Sequence, residues 1–311
     1  MQNAQFIDDA DARKFQRISV GYNSIDLEVM IYRGAVAERQ PLLILNSIEM
    51  PVPPSIVFCE QMWAAGYQVI FTRRPGFGAI RGLPSVLMSD EQIASCAPTA
   101  VEAAILKLLI RALKLEAVIL LGIGTSNSIC VRLAQLSSQI CHCVLSNPLF
   151  HSSIWDAIRP FWFAQMLKQT VATKTGSSIA IKGLKSALRR DPIWFYRQLA
   201  QKSRGDVSYI EANKQDFRQA SLLLQTIEID TFYYDLKTSL IVDKDWDPNS
   251  FDGISASILS SQEKSSKFQT DIENEAARLR IPIRFAGSGD LFVPYASPEE
   301  LVDFLQAHAT N

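Results

Sequence analysis

The chain has 311 residues, 48% of them apolar, with 31 Lys and Arg against 32 Asp and Glu and a formal charge of −1. That length suits one large α/β domain with an insertion, or two domains. The near-neutral total gives no global basic field for nucleic acid or an anionic membrane, and no apolar run nears the roughly 20 residues of a membrane span. The N-terminus, Met1 to Asp9, is polar and acidic, so no secretory signal is expected. Five cysteines without a Cys-x-x-Cys pair predict reduced thiols and a cytoplasmic location.

Taken in order, Ile18–Val20 and Leu27–Tyr32 read as a hairpin around a turn at Gly21–Ser24. Leu42–Leu45 is a short apolar run of the kind buried in a parallel sheet, followed by a Pro-rich loop, Asn46 to Pro54, and a helix from Ile56 to Ala65. A strand over Gly66–Thr72 leads into Arg73-Arg-Pro-Gly-Phe-Gly78. Val101 to Leu115 has helical apolar spacing. Ala117 to Ala134 reads as buried strand, tight small-residue turn and helix, and Cys141–Leu145 as the next strand. From about Phe150 to Leu240 the pattern is mostly helical and rich in aromatics. Strand–helix alternation then returns with Ile258–Ser261, Phe268–Leu279, Ile281–Phe285 and a closing helix from Pro298. The expected architecture is a mostly parallel sheet flanked by helices: core at 1–149, helical cap insertion at 150–245, core again at 246–311.

These features, in this order, resemble the α/β-hydrolase superfamily over about residues 16–307. Arg74-Pro-Gly-Phe-Gly78 is similar to the loop after the fourth strand, and Gly122 to Ala134 resembles the nucleophile elbow Gly-x-Ser-x-Gly with its helix. Asp245-Trp246 resembles the return from cap to core, and Gly287-Ser-Gly-Asp290 before Pro298-Glu-Glu-Leu-Val302 resembles the histidine loop and last helix. The resemblance implies a nucleophile, an acid and a histidine. Here Gly124 stands in the nucleophile slot, Asp290 in the histidine slot, and Glu263 to Ser266 where the acid belongs. An opposing placement makes Gly287 to Pro294 the acid loop, with Asp290 a triad acid and a strand missing. The three histidines, His142, His151 and His308, lie elsewhere.

Other readings stay open beside these. Ser126 could be a shifted nucleophile, or the small or capping residue of the turn. The resemblance gives Thr125 and the Ser47-Ile48 loop the backbone donors of an oxyanion hole, which could hold a ligand carbonyl instead. Trp155 and Trp162 would line a pocket beneath the cap. Cys141-His142-Cys143 alternates sides of a strand, so the three cannot converge on one ion, and buried strand positions are expected. Arg73-Arg74 reads as surface or loop anchoring, and Lys182 to Arg190 as a solvated helix face.

The expectation is therefore a degenerate hydrolase, a pseudoenzyme without metal or cofactor. It would bind a small, partly apolar molecule or a protein partner, and neither nucleic acid nor membrane. Two alternatives remain: an enzyme of lyase or cyclase type with Asp290 as general base, and an esterase-like hydrolase using Ser126.

Overall fold

The computed structural model describes residues 15–22, 25–34, 38–48, 50–77, 97–148, 173–200, 202–235 and 247–309, with residues 162, 165, 168 and 169. Eight strands form one sheet in the order β1-β2-β4-β3-β5-β6-β7-β8. They are β1 (Phe15–Tyr22), β2 (Ile25–Tyr32), β3 (Gln40–Leu45), β4 (Tyr67–Thr72), β5 (Val118–Ile123), β6 (Ile140–Ser146), β7 (Ala256–Ser261) and β8 (Ile283–Ala286). The β1/β2 and β2/β4 pairs are antiparallel and the others parallel. Every residue of β4 and β5 is buried, and β5 reads as an unbroken apolar run, whereas β4 also buries the polar Gln68 and Thr72.

The pleat splits the core in two. On one face Leu42, Ile44, Phe71, Leu121 and Val144 meet α1 (Ile56–Ala64) and the closing helix α10 (Pro298–Ala309). The same cluster takes in Ile181, Tyr196, Tyr209 and Phe217 from the helices inserted between β6 and β7. On the other face Leu43, Leu45, Leu120 and Leu145 meet α2 (Ala97–Ala112), α3 (Asn127–Leu136) and α8 (Ser266–Leu279). The inserted helices are α4 (Lys174–Arg190), α5 (Pro192–Ala200), α6 (Arg204–Ala212) and α7 (Lys214–Thr226), with a further helix over 229–235. A four-residue helix, α9 (Val293–Ala296), precedes α10.

Several helices begin where a hydroxyl can satisfy a free amide. Ser55 caps α1 through Phe58 N–H, Thr173 caps α4 through Gly176 N–H, and Ser265 caps α8 through Phe268 N–H. The helix expected from Val101 starts four residues earlier, because Pro98 falls in its first turn, where the missing N–H costs nothing. The last strand starts at Ile283 rather than Ile281. Among the described residues only helices follow β8, so the loop bearing Asp290 is the one after the last strand. Asp245-Trp246 lies outside the described residues, as does Trp155.

Candidate functional site

The order of the sheet reverses between β3 and β5: β4 lies beyond β3 on one side, and β6 follows β5 on the other. In open α/β sheets such a point leaves a crevice at the carboxyl ends of the strands. Here those ends are the Asn46–Ser55 loop after β3 and the Gly124–Ser126 turn after β5. Gly124 sits at φ +61°, a left-handed conformation in which any Cβ is strained. Gly122 must also be small, since a Cβ there would stand 2.6 Å from Asn127 Oδ1 and 2.8 Å from Cys130 Sγ. The turn is thus built as the sequence predicts, and Gly124 brings no side chain to it.

The groups around the turn bond to one another. The Thr125 N–H donates to Ser47 Oγ at 2.9 Å, and that hydroxyl donates to the Ile123 carbonyl at 2.9 Å. The backbone donor expected to be available at Thr125 is spent on Ser47, a correction with a simple cause: one hydroxyl can accept and donate at once. Ile48 is buried in the core. Ser126 is fully buried; its hydroxyl donates to the Leu45 carbonyl, with the Ile123 carbonyl 3.0 Å away, and accepts from Ile123 N–H. It ties β3 to the turn and faces no solvent. Asn127 Nδ2 donates to the carbonyls of Gly124 and Ser146, at 2.8 and 2.9 Å. Asn46 Nδ2 donates to the Val52 carbonyl, and Asn46 Oδ1 accepts from Tyr295 Oη at 2.9 Å.

A charged tie joins this turn to the inserted helices. Thr125 Oγ1 donates to Asp235 Oδ2 at 3.0 Å, and Asp235 Oδ1 lies 2.7 Å from Arg74 NH1. Arg74 also holds Glu102 of α2 with two nitrogens, at 2.8 and 3.1 Å. Burial opposes the guanidinium charge, and the carboxylates of Asp235 and Glu102 outweigh it, so its pKa rises above the ordinary value. Of the two readings of the basic pair, surface or loop anchoring, the surface one fails, since both residues are buried, Arg73 being paired with Glu28 at 2.9 Å. Between these loops lies a cavity of about 10 Å³ bordered by Asn46, Ser47, Ile48, Arg73 and Arg74, room for about one water.

The loops after β7 and β8 form a second tie. Asp290 stands after β8 and its carboxylate is paired with Lys264 Nζ. Glu263 reaches across to the start of α6, accepting from Ser203 Oγ at 2.6 Å and from the N–H groups of Arg204 and Gly205, and it also accepts from Gly289 N–H at 2.8 Å. Burial alone would raise its pKa, but those donors hold it below the usual value. Asp206 of α6 answers in the other direction, accepting from Leu291 N–H and Phe292 N–H at 2.6 and 3.1 Å. Burial pushes its carboxyl up to about 6, aided by the Asp290 charge and opposed by the N–H groups of Leu291, Asp290 and Phe292.

The remaining sequence candidates do not join this site. Trp162 is exposed. His142 is buried in β6 with its two ring nitrogens 2.7 Å from the hydroxyls of Ser255 and Ser257. Cys143 is buried beside it, but Cys141, expected to be buried, is exposed because it lies at the entrance of the strand. No group of three or more His, Cys, Asp or Glu able to hold a metal occurs among the described residues. Sequence reasoning missed Asp206 and Asp235. Ser203-x-x-Asp206 has capping-box spacing, and Ser203 does accept from Asp206 N–H at 3.0 Å, but the carboxylate turns outward to the core.

No family model matches the sequence, and no curated protein matches it. Solved structures do. A protein assigned as an epoxide hydrolase from Pseudomonas aeruginosa is similar with a TM-score of 0.68 at 16% identity, over 95% of this chain and 97% of that one. A protein assigned as an alpha/beta hydrolase from a Nostoc species gives 0.65 at 14% identity, over 96% and 99%. One assigned as an acyltransferase from Salmonella enterica gives 0.67 at 13%, over 96% and 95%. At such identities the likeness is one of fold: the chain has the α/β-hydrolase fold.

Proposed function

Starting from a chain of the α/β-hydrolase fold, we propose that it is a non-hydrolytic binding protein in which the elbow serves as a structural joint and the inserted helices as a fixed cap. The observation that carries this reading is the Thr125 N–H, spent on Ser47 Oγ beside a Gly124 that has no side chain to attack with. An acyl-transfer site needs a nucleophile and free donors aimed at the developing oxyanion. Here the donor is taken and the adjoining cavity has room for about one water. A substrate carbonyl would have to displace Ser47 from two hydrogen bonds. Partner binding through the scaffold fits these facts better than retention of a carbonyl ligand on the floor of the old crevice. The lyase-type alternative gains nothing from the geometry, since the Asp290 carboxylate is engaged by Lys264.

The test is chemical. The purified protein is expected to show no labelling by a fluorophosphonate and no turnover of short activated esters above background. Trace rates from residual donors would be compatible with the proposal. Stoichiometric labelling, mapped to Ser126 by peptide mass spectrometry, would overturn it.

A further inference from the structure

The near-neutral total charge hides a local separation. From Lys174 to Arg204 the chain carries eight Lys and Arg and a single acid, Asp191, which leaves 23 Lys and Arg against 31 Asp and Glu elsewhere. That span covers α4 and α5, and the solvent-facing sides of these helices are not purely polar. On α4, Ile181 and Leu188 are buried, while Ile179, Lys182, Arg189 and Arg190 are exposed at helical spacing. On α5, Tyr196 and Ala200 are buried, and Trp194 and Arg197 are exposed three apart. Ile179 is 64% exposed and Trp194 56%. Leu199 on α5 and Leu222 on the neighbouring α7, one turn from the exposed Arg218, extend the same mixture. Isolated exposed apolar residues are ordinary. Large ones placed repeatedly beside cations, on the one strongly basic part of the chain, call for an explanation.

We propose that the exposed face of α4 and α5 is a docking surface for an anionic lipid bilayer. Charge complementarity supplies the attraction, since Lys and Arg near an anionic leaflet each add to binding within a Debye length of the surface. Trp194, Ile179 and Leu199 identify lipid as the occupant, because an indole and aliphatic side chains gain by entering the boundary between headgroups and acyl chains. Nucleic acid would use the cations and has no use for an exposed Ile179 or Leu199. The contact is peripheral: no helix among the described residues is long and apolar enough to cross a membrane. Two of the eight cations are already paired with acids of neighbouring helices, Lys174 with Asp230 at 2.6 Å and Arg197 with Glu211 at 3.3 Å, so Lys182, Arg189 and Arg190 carry the attraction. This inference does not depend on the chemistry of the elbow, and the labelling test above leaves it untouched.

The experiment is co-sedimentation of the full chain with phosphatidylcholine vesicles that do or do not contain phosphatidylserine, repeated at rising salt. The protein is expected to pellet with the serine-containing vesicles and to be released by salt. A combined Lys182→Glu, Arg189→Glu and Arg190→Glu variant should lose on the order of a hundredfold in partitioning, and Trp194→Ala about tenfold. These positions are exposed, so circular dichroism should show both variants folded. Arg111→Glu, an exposed charge reversal on α2, should bind as the parent does. Three results would overturn the proposal: no binding to either vesicle, equal binding to both, or undiminished binding by the triple variant. Binding of an RNA or DNA duplex without any vesicle binding would also overturn it, and would assign the face to a polyanion.

Discussion

Two ties hold the inserted helices to the sheet, and they are made of different chemistry. Beside the elbow, Arg74 binds Glu102 and Asp235, so opposite charges meet in the interior and Thr125 completes the contact. At the other end of the crevice Asp206 and Glu263 exchange places across the interface, and each carboxylate rests largely on backbone N–H groups. The backbones come so close there that a Cβ on Gly205 would lie 2.4 Å from Gly289 N. An ion pair costs most when one partner is taken away, because the survivor is left charged and buried. On a carboxylate held by N–H groups, burial raises the proton affinity and the donors lower it, and the balance falls differently at the two: Asp206 is pushed up and Glu263 is held down. The first tie should therefore be sensitive to substitution and the second to pH.

Arg74→Met is the most severe way to break that contrast. It strands Glu102 and Asp235 together in the interior and should cost about 3–5 kcal/mol in urea unfolding. If the loss is below about 1 kcal/mol, the ion pair contributes little and the contrast fails. The pH response is the next largest effect. Asp206 carries a pKa of about 6 in the folded chain against a model value of 3.8. Between those values the unfolded chain gives up the proton while the folded chain keeps it. Stability should thus fall as pH rises from about 4 to about 6, by about 2–3 kcal/mol from this group, and then level off. Asp206→Asn should flatten that slope, and a slope unchanged in the variant would show that another group titrates. Glu263, held below its usual value, works the opposite way, losing its contribution as pH drops through that lowered value. The smallest effect expected is that of Ser47→Ala, about 1 kcal/mol for a pair of neutral hydrogen bonds, measured by thermal unfolding at one pH. A loss equal to that of Arg74→Met would show that the neutral bonds of the elbow count for as much as the ion pair beside it.

The sheet was legible because β3, β4 and β5 are buried on both faces and leave an apolar signature that solvent does not dilute. The elbow was legible because Gly122 and Gly124 are demanded by close packing against α3 and by a positive φ, constraints that act on residue type. What those residues touch was not legible. Ser47 lies 78 residues from Thr125, and Asp235 lies 110 residues away, so no spacing rule joins them. Whether Arg74 anchors a loop or sits at the surface stayed open in the sequence because its two carboxylate partners lie on α2 and on the helix over 229–235, distant in sequence. The net charge is silent in the same manner, since a sum over the chain does not register that the cations cluster on α4 and α5.

The hydrogen bond from Tyr295 to Asn46 spans 249 residues. During synthesis the third strand and its loop emerge early, yet the side chain that satisfies Asn46 arrives only when nearly the whole chain has been made. Contacts this distant in sequence slow folding, because a long loop must close before they repay its entropy. The N-terminal part of the sheet would then wait, with a buried amide only half satisfied, in a state that chaperones can bind. A chain halted before α9 would be caught at that stage: all eight of the described strands made, and its interior still open at the loop after β3.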